Sequence, residues 1–304
     1  NIESKNNIDN IENKSDNIDD NYNDNDFDDD NYEFDQSDYI VKRGTHLKRD
    51  QVILMPNHLI RPQEIALLAN IGRAKIKVFQ KPRVTVFSTG SEVVDFKKSP
   101  RGAQIRNSNG PMIEALVAEQ GGHTESLGII KDDREALSKA LRGALKSRDV
   151  IVCTGGVSMG DFDYLPEVLR QLRFKILFSR LSIQPGKPML LACLGPKTLF
   201  ALPGNPVSAF VTFTLFVAPF LARLGGRSGG AEFQPVCLAE RFTRKNASRM
   251  LFLPGSFVDR SRVKGLSLQD SGEISVLCQA NCLIQIPAGI CSLNKGDRVY
   301  ARPI

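Results

Sequence analysis

The chain predicts an α/β protein: a three-layer α/β domain over about residues 81–226, then a small β-barrel or sandwich over 231–304. A short piece at 41–80 and a disordered tail at 1–40 precede them. Three observations predict this. Between residues 81 and 226, β-branched apolar runs alternate with runs of helical period, the mark of strands covered on both faces by helices. After GGRSGG the helical period stops, and short strand-like runs separated by turn residues replace it. Residues 1–40 hold 14 Asp and Glu against 2 Lys, with ten Asn and scattered Ile, Phe and Tyr, too little apolar surface to offset the entropy of ordering.

Taken in order, residues 41–80 carry a short strand at Gln51–Met55 and a helix at Pro62–Ile71 stopped by Gly72. Forty residues are too few to fold alone, so this piece leans on the rest or on a second copy. RVTVFST (Arg83–Thr89) is a strand ending at Gly90, and a helix opens at Asn109 or Gly110 with Pro111 in its first turn. Its Met112, Ile113, Leu116 and Val117 keep helical spacing until Gly121 and Gly122 stop it. HTESLGII is the second strand, after which Asp132 or Asp133 caps a helix with one apolar stripe from Ala136 to Leu145. DVIVCTGG is almost wholly apolar, as a central strand of a parallel sheet must be. A helix near Tyr164 follows, then short strands at Phe174–Phe178, Met189–Cys193 and Thr198–Leu202, then a long apolar helix capped by Asn205 and opened by Pro206. The later strand candidates are VCLAERF, RMLFLPGSFV, ISVLCQ, CLIQIPAG and DRVYARPI.

Charge separates the same pieces. The whole chain is +6, the tail is −12, and residues 41–304 are +18, with 38 Lys and Arg against 20 Asp and Glu. Such a body suits an anionic ligand or simply a solubilised surface. Few aromatics interleave with the basic residues, so no nucleic-acid partner is expected. The apolar stretch Val207–Leu221 is shorter than the roughly twenty residues that span a bilayer, so it reads as a core helix and no membrane is expected. No leader precedes the body, and the six cysteines show no CxxC pair; a cytoplasmic protein with reduced, mostly buried thiols is expected. The first residue is Asn1 rather than Met, as in a fragment or a processed product. His46, His58 and His123 lie near no candidate nucleophile, and neither GxxxxGKS nor GxxxxGKT occurs, which disfavours a triad hydrolase and a P-loop nucleotidase.

Two segments carry the chemistry. VCTGGVSMGDFDY (Val152–Tyr164) and FALPGNPVSAF (Phe200–Phe210) each run from an apolar strand through a glycine turn into a helix. Such turns present backbone N–H groups and a helix's positive end to an oxyanion. In the first, Gly155, Gly156 and Gly160 admit a ligand, Thr154 and Ser158 offer hydroxyls, and Asp161 and Asp163 suit Mg²⁺ held partly by the ligand's phosphates. Lys187 in QPGKP, between Pro185 and Pro188, is a rigidly placed cation. Glu92 and Ser108–Gly110 face the same crevice at the strand ends.

STGSE, IRNSNG, LGIIKDD, CTGGVSMGDFDY, QPGKP and LPGNPVSA, in this order and spacing, resemble the molybdopterin molybdenumtransferase family, MoeA-type proteins and the gephyrin E domain included. DSGEISVLCQANCLIQIPAG is similar to the family's C-terminal β-barrel, so the likeness runs from about residue 41 to the end. The resemblance implies an enzyme of molybdenum cofactor synthesis that takes adenylyl-molybdopterin and molybdate, uses Mg²⁺, and releases AMP. A homodimer and partner proteins of the same synthesis are implied too. A molybdopterin adenylyltransferase and a catalytically impaired scaffold protein of the same fold are the alternatives.

Carried onto this chain, the resemblance implies catalytic roles for Glu92, Asp132 or Asp133, Asp163 and Lys187. Pterin contacts fall to Thr89, Gly90, Ser108, Asn109, Thr154, Gly155, Gly156, Val157, Ser158, Gly160, Pro185, Gly186 and Pro188, and to the second loop Pro203, Gly204, Asn205, Pro206 and Ser208. Asp161 and Asp163 are the expected metal ligands, and Arg249 and Ser275 match barrel residues that reach molybdate. Three departures stand out: Ser91 for an Asp, Asn107 for an Asp, and Gln184 for a Lys before PGKP. The family's long N-terminal region is matched only from about Ile40, so residues 41–80 read as a remnant of it.

Overall fold

The computed structural model describes residues 41–42, 44–147, 149–157, 164–227, 231–267 and 270–304, and the acidic tail lies outside them. In chain order the elements are α1 (Pro62–Asn70), β1 (Arg83–Thr89), β2 (Val93–Val94), β3 (Ile105–Arg106), α2 (Asn109–Glu119), β4 (His123–Ile130), α3 (Arg134–Ser147), β5 (Val150–Thr154) and α4 (Leu165–Gln171). Then come β6 (Lys175–Phe178), β7 (Ile183–Gln184), β8 (Leu190–Leu194), β9 (Lys197–Leu202), α5 (Pro206–Thr212), a π-helical stretch Phe213–Val217 and α6 (Ala218–Leu224). The last part holds β10 (Gln234–Leu238), β11 (Phe242–Thr243), β12 (Met250–Phe257), β13 (Arg262–Gly265), α7 (Ser275–Gln279), β14 (Cys282–Ile286), β15 (Ser292–Leu293) and β16 (Arg298–Pro303).

Three layers follow from how β5 divides its side chains. All five of its residues are buried. Ile151 and Cys153 join Phe87, Leu137, Leu141, Leu165 and Leu169, which puts α3 and α4 on one face. Val150 and Val152 join Val84, Val86, Ile113, Val117, Phe213, Val217 and Leu221, which puts α2 and the long helix on the other. The sheet order is β4-β1-β5-β9-β8-β6. Its first four strands are parallel, but β8 runs antiparallel to β9 and to β6. The two residues between β8 and β9, with Gly195 at φ +56°, permit a hairpin and no crossover, so the sheet is mixed rather than wholly parallel.

The stretch Pro206–Leu224 is, at 19 residues, long and apolar enough to cross a bilayer by length and composition. Its Val207, Ala209, Val211, Phe213, Val217 and Leu221 are buried against the protein, as expected of a core helix. Val207 and Val211 meet Ile183, Phe252, Val276 and Leu283, which forms the seam to the next domain. That domain is a closed barrel: β10 pairs with β13 and β16, β16 with β14, β14 with β12, and β12 back with β13. β7 adds to β12 in parallel, Met250 opposite Ile183 and Leu251 opposite Gln184.

Three expectations fail. Gln51–Met55 forms no strand; Val52 and Met55 are exposed, and neither has a partner strand to bury it. ISVLCQ is not a strand either, for Ser275–Gln279 is the helix α7 with Val276 as its buried residue. An apolar run this short carries no period that separates helix from strand. The cysteines are free, but only Cys153 and Cys282 are buried, while Cys278 and Cys291 are exposed. Burial pushes the Cys153 thiol up to about 12 and that of Cys282 up to about 11, so both stay protonated at neutral pH.

Candidate functional site at the strand ends

The carboxyl ends of β1, β5 and β9 meet in one hydrogen-bonded rim. Ser88 Oγ donates to Asn107 Oδ1 (2.9 Å) and accepts a hydrogen bond from Thr154 Oγ1 (3.0 Å), which joins β1, the turn before α2, and β5. Asn109 Nδ2 donates to the carbonyl of Gly204 (2.6 Å), so α2 is fastened to the loop after β9. Gly155 N–H donates to the Leu202 carbonyl (3.1 Å), and Gly155 and Gly156 lie in the left-handed region at φ +84° and +66°. A Cβ on Gly155 would collide with the Thr89 carbonyl oxygen, so the turn comes close to β1 only because it has no side chain there.

Among the described residues three buried polar atoms of this rim, Thr89 Oγ1, Asn109 Oδ1 and Asp132 Oδ1, lack a well-formed hydrogen bond, the Thr89 hydroxyl lying close enough to the Asp132 carboxylate to stabilise its charge. Burial and the neighbouring Glu92 charge raise the Asp132 pKa above the usual carboxylate range. Asp133, by contrast, spends Oδ1 on the Ala136 N–H (2.8 Å) as the cap of α3. Of the two acids left open by sequence, Asp132 is the one with an oxygen to spare. Glu92 is exposed and folds over Gly90, where a Cβ would stand 2.9 Å from its Oε2.

The second loop is held from the barrel. Asn205 begins α5 in extended backbone but caps nothing with its side chain. Its Nδ2 donates to Ser271 Oγ (2.6 Å), and Ser271 O accepts the Val207 N–H (3.1 Å) that an N-cap would take. The long-range loop replaces the cap, and no local pattern announces Ser271. Pro203 and Ser208 are buried, Pro206 half-buried, and Gly204 exposed.

QPGKP is rigid. The Gln184–Pro185 peptide is cis, Gly186 sits at φ +109° against Thr212, Pro185 and Gly186 are buried, Pro188 is half-buried, and the Lys187 carbonyl accepts the Leu181 N–H (2.9 Å). The Lys187 side chain is left exposed. Arg249 Nη1 donates to the Ile183 carbonyl (3.0 Å), which brings this barrel cation beside Gln184. Ser275 lies exposed on α7, and Ser108 exposed before α2. Val157 packs on the α3–α4 core. Ser158, Gly160, Asp161 and Asp163 lie outside the described residues. Among the described residues no three His, Cys, Asp or Glu side chains gather as a metal site.

Residues 85–223 match the family described as "probable molybdopterin binding domain", and residues 229–304 match the "MoeA C-terminal region (domain IV)". Molybdopterin molybdenumtransferase of Staphylococcus aureus is 34% identical over 272 residues, 88% of this chain and 64% of the relative. The Staphylococcus epidermidis enzyme is 31% identical over 269 residues. A solved molybdopterin biosynthesis MoeA protein from Pyrococcus horikoshii superposes with a TM-score of 0.76 at 30% identity, covering 86% of this chain and 64% of that one. The chain therefore spans a little under two thirds of the length of these relatives. With both domains matched in order and the fold shared, the chain belongs to the MoeA-type molybdopterin molybdenumtransferase family.

Proposed function

We propose that the protein is a molybdopterin molybdenumtransferase that binds adenylyl-molybdopterin across the strand ends, takes molybdate, and releases AMP, acting as a homodimer in the cytoplasm. The observation that supports the reading is the trio of buried rim atoms without a well-formed hydrogen bond among the described residues, Thr89 Oγ1, Asn109 Oδ1 and Asp132 Oδ1, beside the glycine turn. A buried polar atom without a partner costs roughly 1–3 kcal/mol. A ligand that brings its own donors and acceptors removes that cost.

Each group then has a role. With the Gly155 N–H held by the Leu202 carbonyl, the N–H groups that follow it, from Gly156 on, hold phosphate oxygens. Asp132, with its raised pKa, holds or takes up a proton at Oδ1 near the reacting phosphate. Lys187, fixed by its prolines, meets the oxyanion, with Arg249 arriving from the barrel. Mg²⁺, whose expected ligands Asp161 and Asp163 lie outside the described residues, would neutralise phosphate charge when bound, the ligand's phosphates completing its shell. The barrel at residues 231–304 disfavours an adenylyltransferase, whose likeness extends over 81–226 alone. Exposed Ile65, Ile76, Val78 and Phe79 support a second copy that covers them.

Calorimetry with molybdopterin tests the reading. The chain is expected to bind it, and Thr89→Val, which deletes one hydrogen-bonding atom at constant shape, to weaken binding about 2- to 10-fold. A folded chain that gives no binding heat would end the proposal.

A further inference from the structure

Half-buried Arg244, just after β11, spreads its guanidinium over three backbone carbonyls. Nε donates to Ile290 (2.7 Å), Nη1 to Arg249 (3.0 Å) and Nη2 to Pro287 (2.7 Å). Its own N–H donates to the Cys291 carbonyl (2.8 Å), so backbone and side chain fix it together. The bond to Arg249 closes the connection from β11 to β12 end to end, and the Gly289 N–H holds the middle of that connection at the Ala247 carbonyl (2.7 Å). Serving three carbonyls at once takes a planar fork of N–H donors; a lysine ammonium is a point charge on a flexible stem.

Arg249 is what the fork holds. It stands immediately before β12, where the Met250 N–H donates to the Ser182 carbonyl (3.2 Å), and Met250 and Leu251 pair with Ile183 and Gln184. Its Nη1 donates to the Ile183 carbonyl (3.0 Å). One N–H of Arg249 is thus spent on β7, and the others have no acceptor among the described residues. No carboxylate pairs with Arg244 or with Arg249 among those residues either. Carbonyl dipoles hold Arg244 without cancelling its charge, so an anion is the partner this flank of β7 lacks. β7 leads directly into Pro185–Pro188, and the Lys187 carbonyl is tied back to the Leu181 N–H (2.9 Å). The contacts run in sequence from Arg244 to Arg249, to β7, to QPGKP.

We propose that Arg244 is a positioning residue for the oxyanion site: by holding the Arg249 carbonyl it sets the direction from which the Arg249 guanidinium meets molybdate beside Gln184 and Lys187. Arg244 acts through Arg249 and not on the substrate. The inference rests on the reading that this crevice takes molybdate, and deepens it by naming what fixes the cation that arrives from the barrel. Gln184 brings no charge there, so the orientation of Arg249 carries more of the binding. A guanidinium whose N–H directions are set in advance forms charge-assisted bonds to a dianion at little ordering cost. On a loose connection the same charge would have to be ordered at the moment of binding.

The test is calorimetric titration of the full chain with molybdate alone, run as a double-mutant cycle with a melting scan of each variant. Arg244→Lys keeps the charge but serves one carbonyl at a time. Arg249→Lys replaces the directed fork by a point charge that needs no orientation. Arg244→Lys is expected to weaken molybdate at least about tenfold, while molybdopterin affinity stays within about twofold. In the Arg249→Lys background the same substitution should change molybdate affinity by about twofold or less, because nothing is left to position. Should Arg244→Lys fail to fold, Arg244→Gln, which keeps a neutral donor, carries the test. Equal losses in the two backgrounds would overturn the proposal, as would an unchanged molybdate affinity in an Arg244→Lys chain that melts lower, or a folded wild-type chain that binds no molybdate. Molybdate binding that follows the cycle without AMP release from adenylyl-molybdopterin would remove the enzyme and leave the positioning role; molybdate-dependent AMP release indifferent to Arg244→Lys would remove the positioning role and leave the enzyme.

Discussion

Gly155→Ala is the substitution from which the close approach of the glycine turn to β1 can be measured. Two costs act. At φ +84° an alanine is strained, by roughly 1–2 kcal/mol. Its Cβ also strikes the Thr89 carbonyl oxygen, which is backbone and cannot rotate away, and overpacking of that kind costs about 1–3 kcal/mol. Gly195→Ala supplies the control. Gly195 too is left-handed, at φ +56°, but a Cβ there has nothing within 4 Å. It carries the first cost and not the second. For a folded unit of this size 1 kcal/mol moves the melting temperature roughly 2–4 °C. Gly155→Ala should therefore melt about 2–12 °C below Gly195→Ala in scanning calorimetry, and should lose molybdopterin as the turn is pushed off Thr89. Equal melting of the two variants would refute the claim that backbone proximity, rather than the turn's φ alone, requires glycine here.

Two further outcomes are expected. Because the folded pKa of Asp132 is raised, the folded state holds the proton more tightly than the unfolded chain does. Stability is then lost as pH rises from the ordinary aspartate range through the raised value, and Asp132→Asn should flatten that part of a denaturant-midpoint profile while abolishing turnover; an unchanged profile would count against the assignment. Gln184→Lys restores a cation beside the oxyanion position and should lower the molybdate half-saturation about tenfold, as a charge-assisted bond replaces a neutral one. No change would mean that Arg249, already held at the Ile183 carbonyl, supplies the charge.

The α/β layers were legible because periodicity reports burial. DVIVCTGG reads as a central strand for the same reason that Val150–Thr154 is buried at every position. The glycine turns were legible because left-handed backbone at Gly155 and Gly156 demands the residue type that marks them. What stayed hidden depends on contacts distant in sequence. Ser271 replaces the Asn205 cap from 66 residues away, and nothing in NPVSA foretells it. The choice between Asp132 and Asp133 turns on which carboxylate reaches the Ala136 N–H, a matter of geometry that two adjacent identical residues cannot express. The strand expected at Gln51–Met55 failed because β-propensity without a pairing partner makes no strand. Asn107 was noticeable in sequence only as a substitution for Asp. Its place, an Oδ1 that accepts from Ser88 Oγ and from the Gly110 N–H, needed the fold.

The most direct test of the enzymatic reading is single-tube turnover: the full chain with adenylyl-molybdopterin, molybdate and Mg²⁺, followed by AMP release and by molybdenum bound to the pterin product. Release of AMP that depends on molybdate, together with a product that activates a cofactor-free molybdenum enzyme, is the predicted result. AMP release that is the same with and without molybdate, or a pterin product free of molybdenum, would contradict it.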